Sequence, residues 1–227
     1  MSREIVLDTE TTGFEPSQGH RLVEIGCVEL MNYVPTGRIF HAYINPEREV
    51  PREAFNVHGL SYAFLKDHPI FKDVTQLFLD FIEDSPLVIH NAKFDMKFLN
   101  AELKSHECPE IPFTRAIDTL EMARRKFPGS PASLDALCKK FGVDNKARDK
   151  HGALLDAELL AQVYLELIGG NQPGLSLNFS SNEADELRAA NSDLKIPRPA
   201  RIHQPTQEER DLHKALLTKL KDPIWVG

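Results

Sequence analysis

The sequence predicts an α/β protein, a mixed sheet flanked by helices, and three observations carry that prediction. Three strand-like segments come first in close succession, and two further apolar strands then alternate with helical segments. The last patterned stretch before a polar tail, at about 152–168, is the longest helix. With 227 residues, 41% of them hydrophobic, the chain can bury one sizeable core and carry an appendage.

The apolar run Ile5-Val6-Leu7 leads into Asp8-Thr9-Glu10-Thr11-Thr12-Gly13. Side chains alternate along a strand, so Asp8 and Glu10 point one way while Leu7 and Thr9 point the other. Two neighbouring carboxylates repel unless something neutralises them, and a divalent cation with a preference for oxygen ligands does so well. Taken alone, the segment also fits a strand end entering a polar turn.

Residues 21–33 and 38–44 are β-rich, and the Pro and Gly of Val34-Pro35-Thr36-Gly37 predict the turn between them. With the first strand they form an antiparallel meander, and the polar loop 12–20 falls beside the acids. Residues 51–65 mix short helical signals with Val57-His58-Gly59-Leu60, and 71–83 place Val74, Leu77, Phe78, Phe81 and Ile82 at helical intervals. Residues 86–90 read as a buried strand. Asn91 to Asp95 then open a helix bearing Phe98, Leu99 and Leu103, and 113–118 suggest another short strand. Helices follow at 119–126 and 133–141, with Ser133 as N-cap and Gly142 as stop. The final helix aligns Leu155, Leu159, Val163 and Leu167 and ends at Gly169-Gly170.

Beyond residue 170 the texture changes. Residues 171–227 hold five of the fifteen prolines and eight basic and eight acidic residues, so the whole net charge of −7 lies in 1–170. We expect one folded domain over 1–170 and a flexible tail over 171–227, ending in a short helix and the apolar Ile224-Trp225-Val226. The acidic balance excludes a protein that coats nucleic acid by bulk electrostatics, though not one that grips a few nucleotides at a metal site. No stretch is long enough to span a bilayer and no signal segment is apparent, so a cytoplasmic protein with no membrane partner is expected. Cys27, Cys108 and Cys138 lack metal or disulfide spacing and read as reduced thiols.

Asp95 falls where a strand gives way to a helix, and Asp156 lies in the last helix, five residues after His151. Five residues turn an ideal helix by about 140° net, so His151 must precede the helix or sit in its first turn. An Asp near a helix start is commonly a cap, and a lone loop His is commonly solvated. DTETTG, HNAKFD and HGALLD nevertheless occur in this order, each with an acid placed to converge.

These three segments resemble the motifs of the DEDDh 3′→5′ exonucleases, which implies a ribonuclease H-like five-stranded mixed sheet over about residues 1–170. Within that group, VLDTETTGF, PREAFNVHGL, LVIHNAKFD, ARRKFPG and SLDALCKKFGVDN look most like the epsilon proofreading subunits of bacterial DNA polymerase III. The resemblance implies that Asp8, Glu10, Asp95 and Asp156 hold two Mg²⁺ or Mn²⁺ ions, with His151 as general base. It also implies that Thr11, His58, Leu60, His90 and Asn91 contact the last nucleotides of a single-stranded or frayed 3′ DNA end.

For the tail, the resemblance implies a sliding-clamp (beta) contact through Leu175, Leu177 and Phe179, although Gly174 stands where a glutamine is usual. It implies a polymerase (alpha) subunit contact through Leu212, Leu216, Ile224 and Trp225, and admits a small theta-like third subunit. Two other readings share the motifs: a stand-alone exoribonuclease of the same fold, and an adaptor whose main role is to hold polymerase and clamp together.

Overall fold

The chain opens on a strand whose apolar residues face both ways, as a central strand requires. In the computed structural model, which describes residues 2–145, 151–169 and 205–219, this strand is β1 (Arg3–Thr11). It pairs antiparallel with β2 (Leu22–Met31), which pairs antiparallel with β3 (Val34–Tyr43). On its other side β1 pairs parallel with β4 (Leu87–Ile89), and β4 with β5 (Ala116–Asp118). The order β3-β2-β1-β4-β5 is a five-stranded mixed sheet.

The expected turn at Val34 to Gly37 is corrected, because those residues begin β3. The turn is Asn32-Tyr33, with φ of 50° and 67°, and the register Met31 to Val34 makes it a two-residue hairpin of the kind whose twist matches the strands. Pro35 is tolerated because β3 is an edge strand. Gly37, at φ 84°, takes up the register shift between Val28 and Leu30.

Helices cover both faces. On one, Ile5, Leu7, Ile25, Cys27 and Ile89 pack against α3 (Phe71–Ile82) and α4 (Ala92–Ser105). On the other, Val6, Val28, Leu30 and Val88 pack with α5 (Thr119–Lys126), α6 (Leu134–Phe141) and α7 (Ala153–Ile168). Two short helices, α1 (Arg52–His58) and α2 (Tyr62–Leu65), link β3 to α3. Ser133 caps α6 by accepting from the Ala136 amide at 3.3 Å. Leu77 lies on α3 as its spacing predicts and is exposed there. Residues 113–118 are strand only from Ala116, after a 3₁₀ turn.

The chain divides into units Met1–Gly174 and Leu175–Gly227. Of the second, the structure describes α8 (Gln207–Leu217), opened by a capping box in which Thr206 and Glu209 satisfy each other's backbone amides. Leu212 and Leu216 are exposed on it, while Leu175, Leu177, Phe179, Ile224 and Trp225 lie outside the described residues. No helix among the described residues is long and apolar enough to cross a membrane.

Candidate active site

The site forms where β1 outruns its parallel neighbour. Leu7 is the last β1 residue paired with β4, so beyond it the β4 side of β1 offers unpaired backbone. Asp8 and Glu10 lie opposite Gly26 and Glu24 of β2, on the α7 face of the sheet. Asp95, in the first turn of α4, comes from the other face. Its Oδ1 accepts from the Thr9 backbone amide at 3.1 Å and from the Thr9 hydroxyl at 2.7 Å, in the place a further strand residue would have taken. Burial raises the pKa of this carboxyl to about 7, against the lowering effect of the Thr9 hydrogen bonds.

The start of α4 is held from β5. Asp118 accepts from the amides of Asn91 at 3.2 Å and Ala92 at 3.1 Å, and also caps α5 by accepting from Leu120 at 2.9 Å. Asn91 takes a left-handed conformation, φ 66°, to turn the chain into the helix. Further along α4, buried Glu102 receives a two-point contact from Arg21, at 2.7 and 2.9 Å, and the Leu22 amide. Asp95 therefore projects from a helix fixed at two places.

The opposite wall is α7. Gly26 lies against its N-terminus so closely that a Cβ there would overlap the carbonyl carbon of Ala153 and the nitrogen of Leu154. That approach brings buried Asp156 down to the sheet. His151 precedes the helix; its amide donates to the Val57 carbonyl of α1 at 3.2 Å, and its Nδ1 lies 3.2 Å from Asp156 Oδ2. Ligating atoms of Glu10, His151 and Asp156 all lie within 4.8 Å of one another, a group that could hold a metal ion. The two carboxylates of the group offer the oxygen ligands that a hard divalent cation takes.

A cleft of about 590 Å³ contains Asp8, Glu10, Asp95, His151 and Asp156, together with His90 and Asn91. The structure thus brings together all four predicted acids and the histidine. A second cleft of about 430 Å³ holds Thr11 and His58, and the two share Thr9, Glu10, Phe14 and Phe94. Leu60 lines neither; its amide donates to Nδ1 of His58 at 3.0 Å. His90 meets Thr119, Nδ1 to Oγ1, at 2.9 Å.

Sequence reasoning missed Thr9, Gly26 and Asp118, which position the acids, and Phe14 and Arg124, which line the cleft. For Thr9 the signal was present, since strand alternation turns it toward the α4 face. Phe14 is 81% exposed, an apolar ring at the junction of the two clefts.

The exonuclease family model, RNase T, matches residues 5–164. The DNA polymerase III epsilon subunit of Rickettsia felis is 52% identical over 221 residues, covering 96% of each chain. That of Escherichia coli K12 is 42% identical over 228 residues, covering 96% of this chain and 93% of its own. Among solved structures, exonuclease X in complex with 5′ overhanging duplex DNA superposes with a TM-score of 0.57 at 26% identity, over 73% of this chain and 90% of that one. The nuclease domain of 3′hExo, a DEDDh family member bound to rAMP, gives 0.63 at 19% identity over 74% and 92%, a likeness of fold. The family match, the near full-length identity and the shared fold agree, and the chain belongs to the exonuclease family and, within it, to the DNA polymerase III epsilon subunits, which are proofreading 3′→5′ exonucleases.

Proposed function

We propose that the chain removes mispaired nucleotides from DNA 3′ ends by hydrolysis, with Asp8, Glu10, Asp95 and Asp156 holding two Mg²⁺ or Mn²⁺ ions and His151 acting as general base. The observation that carries this reading is the His151–Asp156 contact at 3.2 Å, with Glu10 beside it in a cleft that Asp8 and Asp95 also line. Divalent ions bound there supply charge stabilisation at the phosphate oxygens.

The chain's own groups do the rest. In the tautomer that donates Nδ1–H to Asp156, Nε2 of His151 carries the lone pair that takes a proton from the attacking water. The water oxygen forms its bond to phosphorus as the bond to the 3′ oxygen breaks, which releases a nucleoside 5′-monophosphate. The 3′ oxygen stays with the shortened strand and takes up a proton from solvent. The Val57 carbonyl anchors the His151 backbone ahead of α7. His90, Asn91 and Arg124 line the cleft with the acids, where they would meet the scissile phosphate, and Thr11 and His58 line the adjoining cleft, where they would meet the neighbouring nucleotide.

The relatives' name motivates the partners. Leu212, Leu216, Ile224 and Trp225 dock on the polymerase alpha subunit, and Leu175, Leu177 and Phe179 on the beta sliding clamp, so that 171–227 tethers the nuclease domain 1–170 to the cytoplasmic replication machinery.

The test is a nuclease assay in Mg²⁺ on DNA with paired and mispaired 3′ ends, and on RNA. Wild type should prefer the mispaired DNA end, Asp8→Ala should be inactive, and His151→Ala should lose roughly two to four orders of magnitude in rate. Near-normal turnover by either variant would sink its assigned role, and a preference for RNA would favour the exoribonuclease reading. Ile224→Ala with Trp225→Ala should lose co-purification with the polymerase subunit while still digesting free single strands.

A further inference from the structure

Away from the acids, a groove of about 580 Å³ follows one side of α4, lined by Lys93, Met96, Lys97, Asn100, Lys104 and Phe113, with Glu110 at its wall. The acids of α4, Asp95 and Glu102, are buried and engaged with Thr9 and Arg21, so the groove side of the helix presents lysines. Lys97 is committed: its Nζ donates to the Phe14 carbonyl at 3.0 Å and lies 2.9 Å from Glu15. Lys93 and Lys104 have no ion pair among the described residues. In a chain of net charge −7, Lys93 and Lys104 on one side of a helix add local positive charge beside an acidic cleft.

The groove adjoins the catalytic cleft on the same helix. Lys93 and Met96 line the one, and Phe94 and Asp95 the other. Lys97 ties the groove to Phe14, which lines the cleft. Phe113, 55% exposed, offers an aromatic face at the groove wall. Positive charge along a track, with an exposed ring beside it, is how proteins hold a single nucleic-acid strand without reading its sequence.

We propose that this groove binds the single-stranded DNA 5′ of the nucleotides in the cleft, with Lys93 and Lys104 on its phosphates and one base stacked on Phe113. The eleven helical steps from Lys93 to Lys104 rise about 16 Å, room for roughly four nucleotides of a partly stacked strand. This inference rests on the DNA-end reading above and extends it to the part of the substrate that undergoes no chemistry. It separates catalysis, at the acids, from retention of the strand.

The experiment compares full-length wild type with Lys93→Gln/Lys104→Gln, Phe113→Ala and a control, Lys72→Gln, exposed on α3. Substrates are an oligothymidylate of about twenty nucleotides, longer than cleft and groove together, and a dinucleotide too short to leave the cleft. The double lysine variant should raise KM for the long strand about tenfold with kcat unchanged. Its plot of log KM against log salt should be shallower by about 1.4, at roughly 0.7 for each single-strand phosphate that a lysine no longer neutralises. Phe113→Ala should raise the same KM about tenfold with the salt slope unchanged. The dinucleotide and the control should show no change.

Equal losses on the dinucleotide would overturn the proposal, because the lysines would then be acting on the catalytic centre. So would an unchanged KM for the long strand; if co-purification with the polymerase subunit were lost instead, the groove would be a protein-docking face. Equilibrium binding of the labelled oligothymidylate in EDTA keeps the two readings distinguishable. An inactive wild type that still bound the strand through Lys93 and Lys104 would refute the catalytic assignment and leave the groove standing.

Discussion

Thr9 donates both its backbone amide and its hydroxyl to one oxygen of Asp95, across 86 residues of sequence and from the opposite face of the sheet to Asp8 and Glu10. The acids of the cleft therefore arrive by two routes. Asp8 and Glu10 come directly from the strand, while Asp95 comes over the sheet edge and is fastened there by the residue between them.

Thr9→Val keeps the size of the side chain and removes the hydroxyl donor. A hydrogen bond to a charged group is worth about 1.5–3 kcal/mol, so the variant should lose about tenfold in kcat at limiting Mg²⁺ and recover part of that at high Mg²⁺. Unchanged metal dependence would mean that the backbone amide alone positions Asp95.

Burial raises the carboxyl of Asp95 to about 7, and burial also raises that of Glu4, whose partner is the hydroxyl of Tyr164. A carboxyl with a folded pKa above its unfolded value binds its proton more tightly in the folded state. It contributes stability that is full below about pH 4 and is lost as pH rises through the folded value. The melting temperature in EDTA should accordingly fall between about pH 5 and pH 8, and Asp95→Asn should flatten the decline. Mg²⁺ should offset it in wild type, because the ion favours the ionised form. An equally steep decline in Asp95→Asn would assign the effect to other groups.

Gly26→Ala places a methyl group where the backbone of Ala153 and Leu154 already lies, so α7 must shift. Overpacking of this kind costs about 1–3 kcal/mol. Because His151 and Asp156 move with the helix start, kcat should fall further than KM rises. Thermal melts and steady-state kinetics on one preparation would decide; wild-type kcat in a destabilised variant would show that α7 can give without disturbing the site.

Asp118→Asn should separate the two helices that this carboxylate caps. The amide oxygen can still serve Leu120 at the start of α5, while its NH₂ faces the Ala92 amide and leaves that donor unsatisfied, at a cost of about 1–3 kcal/mol. We expect kcat reduced about tenfold, KM for DNA unchanged and the melting temperature lowered by several degrees. Asp118→Glu, which keeps the charge but not the reach, should be similarly impaired. A wild-type-like Glu variant would mean that charge rather than geometry is what Asp118 contributes.

The sequence by itself determined the sheet-and-helix alternation, the side shared by Asp8 and Glu10, and the placement of His151 before its helix or in the first turn, because each follows from a local period of two or 3.6 residues. The same local logic failed at Val34 to Gly37, where Pro35 and Gly37 belong to an edge strand with a register shift. Nor does helical spacing alone fix burial, since Leu77 lies on α3 as its spacing predicts and is nonetheless exposed. Only the tertiary structure decided that Asp95 reaches its place from the far face, that Gly26 lets α7 settle on β2, and that one carboxylate at the end of β5 fixes the start of α4. These are contacts between elements distant in sequence, and they depend on which strand ends first and how closely two backbones approach, quantities that no local period encodes.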